Sequence, residues 1–189
     1  MNEPQLKKLF RDKLKSEFII KPDVKGNFLV DNTDVEVDFL IYPKDHLIKN
    51  GFDEFWIGIE VKSPSVKEPV KQGLKVAWQA ITYAQSEFTD NKSEPNIERI
   101  RPAFVLIFPH ISEFFPKIKA VGVKGAIYDF NQSYVINSLM QKGNVGNFEL
   151  NSTGDEWRIS FGGGQLYYST KKGKGKVLNL GVKRHVGCK

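Results

Sequence analysis

The sequence is poor in cysteine and histidine. It has one cysteine, Cys188, and three histidines, His46, His110 and His185, in 189 residues. A single thiol closes no disulfide within the chain, which suits a reducing compartment. The histidines are far apart and have no cysteine partner at ligand spacing, which argues against a structural zinc site. No apolar run reaches membrane-spanning length, and the opening MNEPQLKKLFRDKLK is too polar for a secretory signal. The expectation is a cytoplasmic protein with no membrane partner. The glycine-rich FGGGQ lacks the Lys-Ser/Thr of a phosphate-binding loop and no helix follows it, so hairpin turns explain it better. No Ser-His-Asp order stands out.

Acidic residues are missing from one stretch only. Between Lys171 and Lys189 there are seven Lys or Arg and no Asp or Glu, whereas the remainder holds 21 of the 28 basic residues against all 22 acidic ones. The net charge of +6 therefore sits in KKGKGKVLNLGVKRHVGCK. Its glycines favour a flexible arm, and Lys171, Lys172, Lys174, Lys176, Lys183 and Arg184 are candidates for following a phosphate backbone. The plainer alternative is a solvated terminus. DNA is the expected partner, with room left for a homodimer or a protein partner.

The length suits one compact domain. Residues Glu3 to Glu17 read as an amphipathic helix with Leu6, Leu9, Phe10 and Leu14 on one stripe. Glu3 and Glu17 project within that stripe, where a carboxylate needs a reason. Phe18 to Val30 reads as a strand or hairpin broken by Pro22 and Gly26. Val35 to Pro43 alternates cleanly, with Glu36, Asp38 and Leu40 on one face. Phe55 to Pro64 also alternates, with Trp56, Gly58, Glu60 and Lys62 together. A helix is expected over Val66 to Phe88, a strand buried on both faces over Ala103 to Pro109, a strand near Gly125 to Phe130 and a short helix near Ser133 to Met140. EWRIS and QLYYST read as a hairpin, in which Trp157, Tyr167 and Tyr168 either pack or stack on bases. The order implies a mixed α/β core over residues 1–145 and a β-rich extension with the basic tail over 146–189, in the same domain or a small subdomain.

Three charged residues stand on strands that are otherwise half apolar: Asp38, Glu60 and Lys62. Glu60 and Lys62 share a face, and Asp38 meets them if the two strands are neighbours. Two carboxylates and an ammonium suit phosphodiester cleavage. The carboxylates hold a hard cation such as Mg²⁺ or Mn²⁺, which polarises the phosphate. The lysine orients or deprotonates water and stabilises the transition state. The carbonyl of Val61 lies between them as a further metal ligand. A lone E-x-K is more often a surface ion pair. Here an apolar opposite face, an upstream acid and a helical pair, Gln79 and Tyr83 at i, i+4, raise its meaning.

With these residues in view, the chain resembles the PD-(D/E)XK, restriction-endonuclease-like nucleases: Asp38, then Glu60-Val61-Lys62, then Gln79-x-x-x-Tyr83. The last element is similar to the Q-x-x-x-Y motif of the RecB-like nucleases and of type I restriction nuclease domains. The resemblance covers slightly over half the chain. It implies an αβββαβ core with a mixed central sheet, metal binding by Asp38 and Glu60, catalysis by Lys62, and a first-helix glutamate in the site, for which Glu17 and Glu3 both qualify. It departs from the nominal pattern in Val37-Asp38, where Pro-Asp is usual; Pro22-Asp23 is the lesser candidate. The implied function is a Mg²⁺- or Mn²⁺-dependent DNA endonuclease, with a bacterial, phage or mobile-element setting open. A DNA-binding module acting with a partner, a Holliday-junction resolvase and an RNA substrate stand as alternatives.

Overall fold

The computed structural model describes residues 1–64, 68–89, 99–115, 134–162 and 164–176. Helix α1 (Glu3–Leu14) begins in a capping box: the Asn2 side chain accepts from the Gln5 N–H and the Gln5 side chain accepts from the Asn2 N–H. Its apolar stripe, Leu6, Phe10 and Leu14, is buried. The helix ends before Glu17, which lies in the turn leading to β1.

Strand β1 (Phe18–Phe28) runs unbroken through Pro22. It pairs with β2 (Asp34–Pro43) along its whole length, but on its other side it meets β4 (Ser86–Thr89) only at residues 26–28. Pro22 thus lies where β1 is an edge, and its missing N–H costs no ladder bond. Gly26 lies where β4 approaches: a Cβ there would stand 2.3 Å from the Glu87 carbonyl oxygen.

After a short helix, α2 (Asp45–Ile48), comes β3 (Ile57–Val61), buried at every position. Helix α3 (Pro69–Ala84) stops short of the expected Phe88, because residues 86–89 turn into a strand. Ser86 and Phe88 are buried in alternation with Glu87 and Thr89, and the ladder to β1 outweighs any helical continuation. Strands β5 (Arg99–Ile100) and β6 (Phe104–Phe108) follow, then a 3₁₀ turn (Ile111–Phe114), helix α4 (residues 134–142), β7 (Val145–Leu150), β8 (Trp157–Phe161), β9 (Gly164–Thr170) and β10 (Gly173–Lys176).

The ten strands of the described residues form one mixed sheet in the order β10-β9-β8-β7-β6-β3-β2-β1-β4-β5. Strands β3, β6 and β7 are parallel neighbours, and every other pair is antiparallel. The C-terminal strands thus extend the sheet that carries β1–β3. EWRIS and QLYYST form the expected antiparallel pair, with a bulge between Ile159 and Ser160.

Helix α1 covers one face: Phe10 packs against Phe39, Phe108 and Phe148 at centroid distances of 5.3, 5.2 and 5.1 Å. Helices α3 and α4 cover the other, where Val76, Ala77, Ala80 and Ile81 meet Leu40, Val105, Ile107, Ile136 and Met140. Trp157 and Tyr167 are buried in the α1-side core, so packing is their task. Among the described residues no helix is long and apolar enough to cross a membrane. The expected strand near Gly125 to Phe130 lies outside the described residues, as does the chain from Val177 onward.

Candidate metal and catalytic centre

The β2–β3 ladder pairs Phe39 with Ile59 and Leu40 with Gly58. One step further along the same register sets Asp38 opposite Glu60. The Val61 N–H donates to Asp38 Oδ2 at 2.6 Å, which fixes the carboxylate against β3. Val61 thus supplies its N–H to the cluster, in addition to any role for its carbonyl. The Lys62 N–H donates to the Phe108 carbonyl at 2.9 Å, holding Lys62 where β3 and β6 end.

Helix α1 adds its first turns. Lys62 Nζ is 2.9 Å from Glu3 Oε2, and Lys7 Nζ forms an ion pair with Asp38 Oδ1. Glu3 and Lys7 are one helical turn apart and therefore side by side. Lys7 is also 3.7 Å from Asp23 Oδ1, so the lesser Pro-Asp candidate stands at the margin of the same cluster.

Helix α3 brings the other expected pair. Tyr83 is buried, and the Gln79 amide and Glu60 both act on its hydroxyl. Gln79 Oε1 is buried without a hydrogen-bond partner. Gln72 donates from Nε2 to the Ser63 carbonyl at 2.9 Å, tying α3 to the chain just past Lys62. The five residues singled out for catalysis, Asp38, Glu60, Lys62, Gln79 and Tyr83, thus come from β2, β3 and α3 to one region.

Electrostatics mark Glu60 as the unusual member. It is 4% exposed. Burial, with the Asp38 charge next, pushes its carboxyl up to about 8, against the opposing pull of Lys62. Burial, then the Glu60 charge, raises the Tyr83 hydroxyl to about 12, so it stays protonated at neutral pH. Lys7 is also raised: burial opposes its charge, but the hydrogen bond and charge of Asp38 outweigh it.

Glu17 lies elsewhere. It follows α1 at the far end of the β1–β2 ladder, where Phe18 pairs with Pro43. Its carboxylate takes the Lys174 ammonium on one oxygen and His46 Nε2 at 3.0 Å on the other. About five residues of strand, roughly 17 Å, separate that end from Asp38. Of the two first-helix glutamates, Glu3 is the one beside the cluster.

The basic tail is partly built into the sheet. Lys171 and Lys172 are exposed in the turn before β10. Lys174 and Lys176 are in β10 itself and pair with Glu17 and with Asp53, the latter at 2.6 Å. The loose arm expected from its glycines is a strand over 173–176, because these two lysines find carboxylates on the core. Lys183 and Arg184 fall outside the described residues.

A cleft of about 580 Å³ is lined by Leu6, Leu9, Pro64, His110, Asn151 and Arg158 among others, and by none of Asp38, Glu60, Lys62, Gln79 or Tyr83. His110 Nδ1 accepts from the Ser112 N–H at 3.0 Å, so Nε2 carries the proton that faces Glu149 Oε1 at 3.2 Å. Burial holds His110 below its ordinary value despite Glu149.

Among the described residues no three His, Cys, Asp or Glu groups stand close enough to cage an ion. Lys7 and Lys62 are interleaved with the carboxylates instead. The donor set still fits a hard dication: carboxylate oxygens on facing strands, and a buried Glu60 carboxyl whose charged form Lys62 and Lys7 favour without overcoming burial and the Asp38 charge. Comparison with known proteins adds no relative: no family model, no curated protein and no solved structure matches this chain.

Proposed function

We propose that this protein is a Mg²⁺- or Mn²⁺-dependent nuclease that hydrolyses phosphodiester bonds in DNA on a restriction-endonuclease-like core. The observation that carries this is the placing of Asp38 opposite Glu60 across β2 and β3, with Lys62 just past the end of β3 and the Tyr83 hydroxyl of α3 feeling the Glu60 charge and the Gln79 hydrogen bond. The run α1, β1, β2, β3, α3 and β6, with β6 parallel to β3, supports the αβββαβ order that the resemblance implies, with α2 inserted between β2 and β3 and with β4 and β5 between α3 and β6.

Asp38 and Glu60 would hold the ion, which when bound polarises the phosphate and neutralises developing charge. In the hydrolysis water adds at phosphorus and one P–O ester bond breaks. Lys62 orients the attacking water and stabilises the charge that builds on the phosphoryl oxygens. Tyr83, protonated at neutral pH, donates a hydrogen bond to substrate or water. Gln79 hydrogen-bonds the Tyr83 hydroxyl and so positions it. The Val61 N–H keeps Asp38 from turning away.

Digestion of supercoiled plasmid, linear duplex, single-stranded and branched DNA, with Mg²⁺ or with EDTA, tests the reading. Metal-dependent cleavage of at least one DNA substrate is expected. Cleavage of RNA alone, or of nothing, would contradict it. A marked preference for branched DNA would specify a resolvase.

A further inference from the structure

Lys7 has no part in the chemistry above, yet its ammonium covers Asp38 Oδ1 while the Val61 N–H takes Oδ2. Both oxygens of the proposed metal ligand thus have partners within the protein. Asp23 and Asp38 face one another across β1–β2, between the registered pairs Pro22–Phe39 and Val24–Val37. The side chain of Asp38 is 14% exposed and that of Asp23 is 62% exposed. Lys7 therefore bridges an inner carboxylate and an outer one. Its Nζ need move only a short way to exchange the first for the second, because it is already 3.7 Å from Asp23 Oδ1.

Charge favours that exchange. Glu3, Asp38 and Glu60 face two ammonium groups, Lys7 and Lys62. A dication added to this set, with Glu60 giving up its proton to it, leaves an excess positive charge among half-buried side chains. Withdrawal of Lys7 brings the formal sum to neutrality. Two cations competing for the same oxygen repel strongly at a separation of a few ångströms.

We propose that Lys7 is a built-in substitute for the divalent ion: it holds Asp38 in the metal-free protein and moves to Asp23 when the ion binds. The inference rests on the reading of Asp38 as a metal ligand. Lys7 sets the metal affinity below what the carboxylates alone would give, and it steadies two facing carboxylates until the ion arrives.

The test is calorimetric titration of Mn²⁺ into the full-length wild type and into Lys7→Met, Asp23→Asn and Asp38→Asn, with the melting temperature of each metal-free protein. Methionine keeps the length and apolar stem of lysine; Lys7→Gln is the second variant should Lys7→Met not fold. Lys7→Met is expected to bind Mn²⁺ roughly tenfold or more tightly and to melt lower without metal. Asp23→Asn should bind several-fold more weakly, because the displaced ammonium loses its receiving partner. Wild-type affinity in Lys7→Met, with binding lost in Asp38→Asn, would overturn the role of Lys7 and leave the metal site standing. Mn²⁺ binding by none of the proteins, or binding that Asp38→Asn leaves untouched, would overturn both.

Discussion

At the scale of single residues, Glu60 sets the physics of the site. Its carboxyl is ordinary, at 4.5, in the unfolded chain and about 8 in the folded one. Between those values the folded state holds the extra proton. Stability of the metal-free protein should therefore fall as pH rises from about 4.5 to about 8 and level off beyond. Glu60→Gln removes this dependence, and melting temperatures at pH 8 should be roughly 5 °C or more above wild type, with the difference vanishing near pH 5. Parallel pH profiles for the two proteins would mean that Glu60 is ionised in the folded state. Asp38, Glu60 and Lys62 were legible in the sequence because alternation makes a charged residue on a buried strand conspicuous. Lys7 was not, because in KKLFRDKLK nothing distinguishes it from its neighbours until Asp38 is placed opposite its helix.

At the scale of elements, the positions of β2 and β3 were read closely, but Val37 packs with Leu40 on the α3 side rather than with Phe39 and Ile41, and further errors arose where long-range pairing decides. Pro22 suggested a break in β1, but β1 is an edge at that point and continues. Residues 86–89 followed a helix in the sequence, but the ladder to β1 makes them a strand. The first-helix glutamate was ambiguous because 100° per residue places Glu3 and Glu17 on one stripe. The helix in fact ends at Leu14, and Glu17 serves a different element. Burial opposes its charge, but hydrogen bonds from Lys174 and His46 outweigh this and hold its carboxyl below the usual value. Its contribution is thus present at neutral pH and lost as pH falls through that lowered value. Glu17→Gln should cost about 1–2 kcal/mol by loosening β10 and α2, while Mn²⁺ affinity stays at the wild-type level. A large fall in affinity would return Glu17 to the metal site.

At the scale of the whole molecule, the sheet is continuous from β10 to β5, and the basic end of the chain joins it. The mixed α/β class was readable, whereas α2, β4, β5 and β10 were not. The sequence did not reveal that Lys174 and Lys176 are anchored by Glu17 and Asp53, because those partners lie 157 and 123 residues away. Two truncations separate anchoring from DNA contact. Removal of residues 177–189 takes away Lys183, Arg184 and Lys189 but spares β10. It should leave the melting temperature near wild type and reduce the salt slope of DNA binding by about 2 to 3 if all three residues reach phosphates. Removal of 171–189 also takes β10 and should lower the melting temperature. An unchanged slope in the shorter truncation would place the DNA contact elsewhere on the molecule.

The proposed function has Asp38, Glu60 and Lys62 act together on a phosphodiester. Its most direct test is the rate of Mg²⁺-dependent nicking of supercoiled plasmid by wild type and by Lys62→Ala, with DNA affinity measured alongside. Wild type should cleave in a reaction that EDTA abolishes, and Lys62→Ala should lose roughly a hundredfold or more at unchanged DNA affinity, since the ammonium acts on the transition state. Cleavage by Lys62→Ala at the wild-type rate would contradict it.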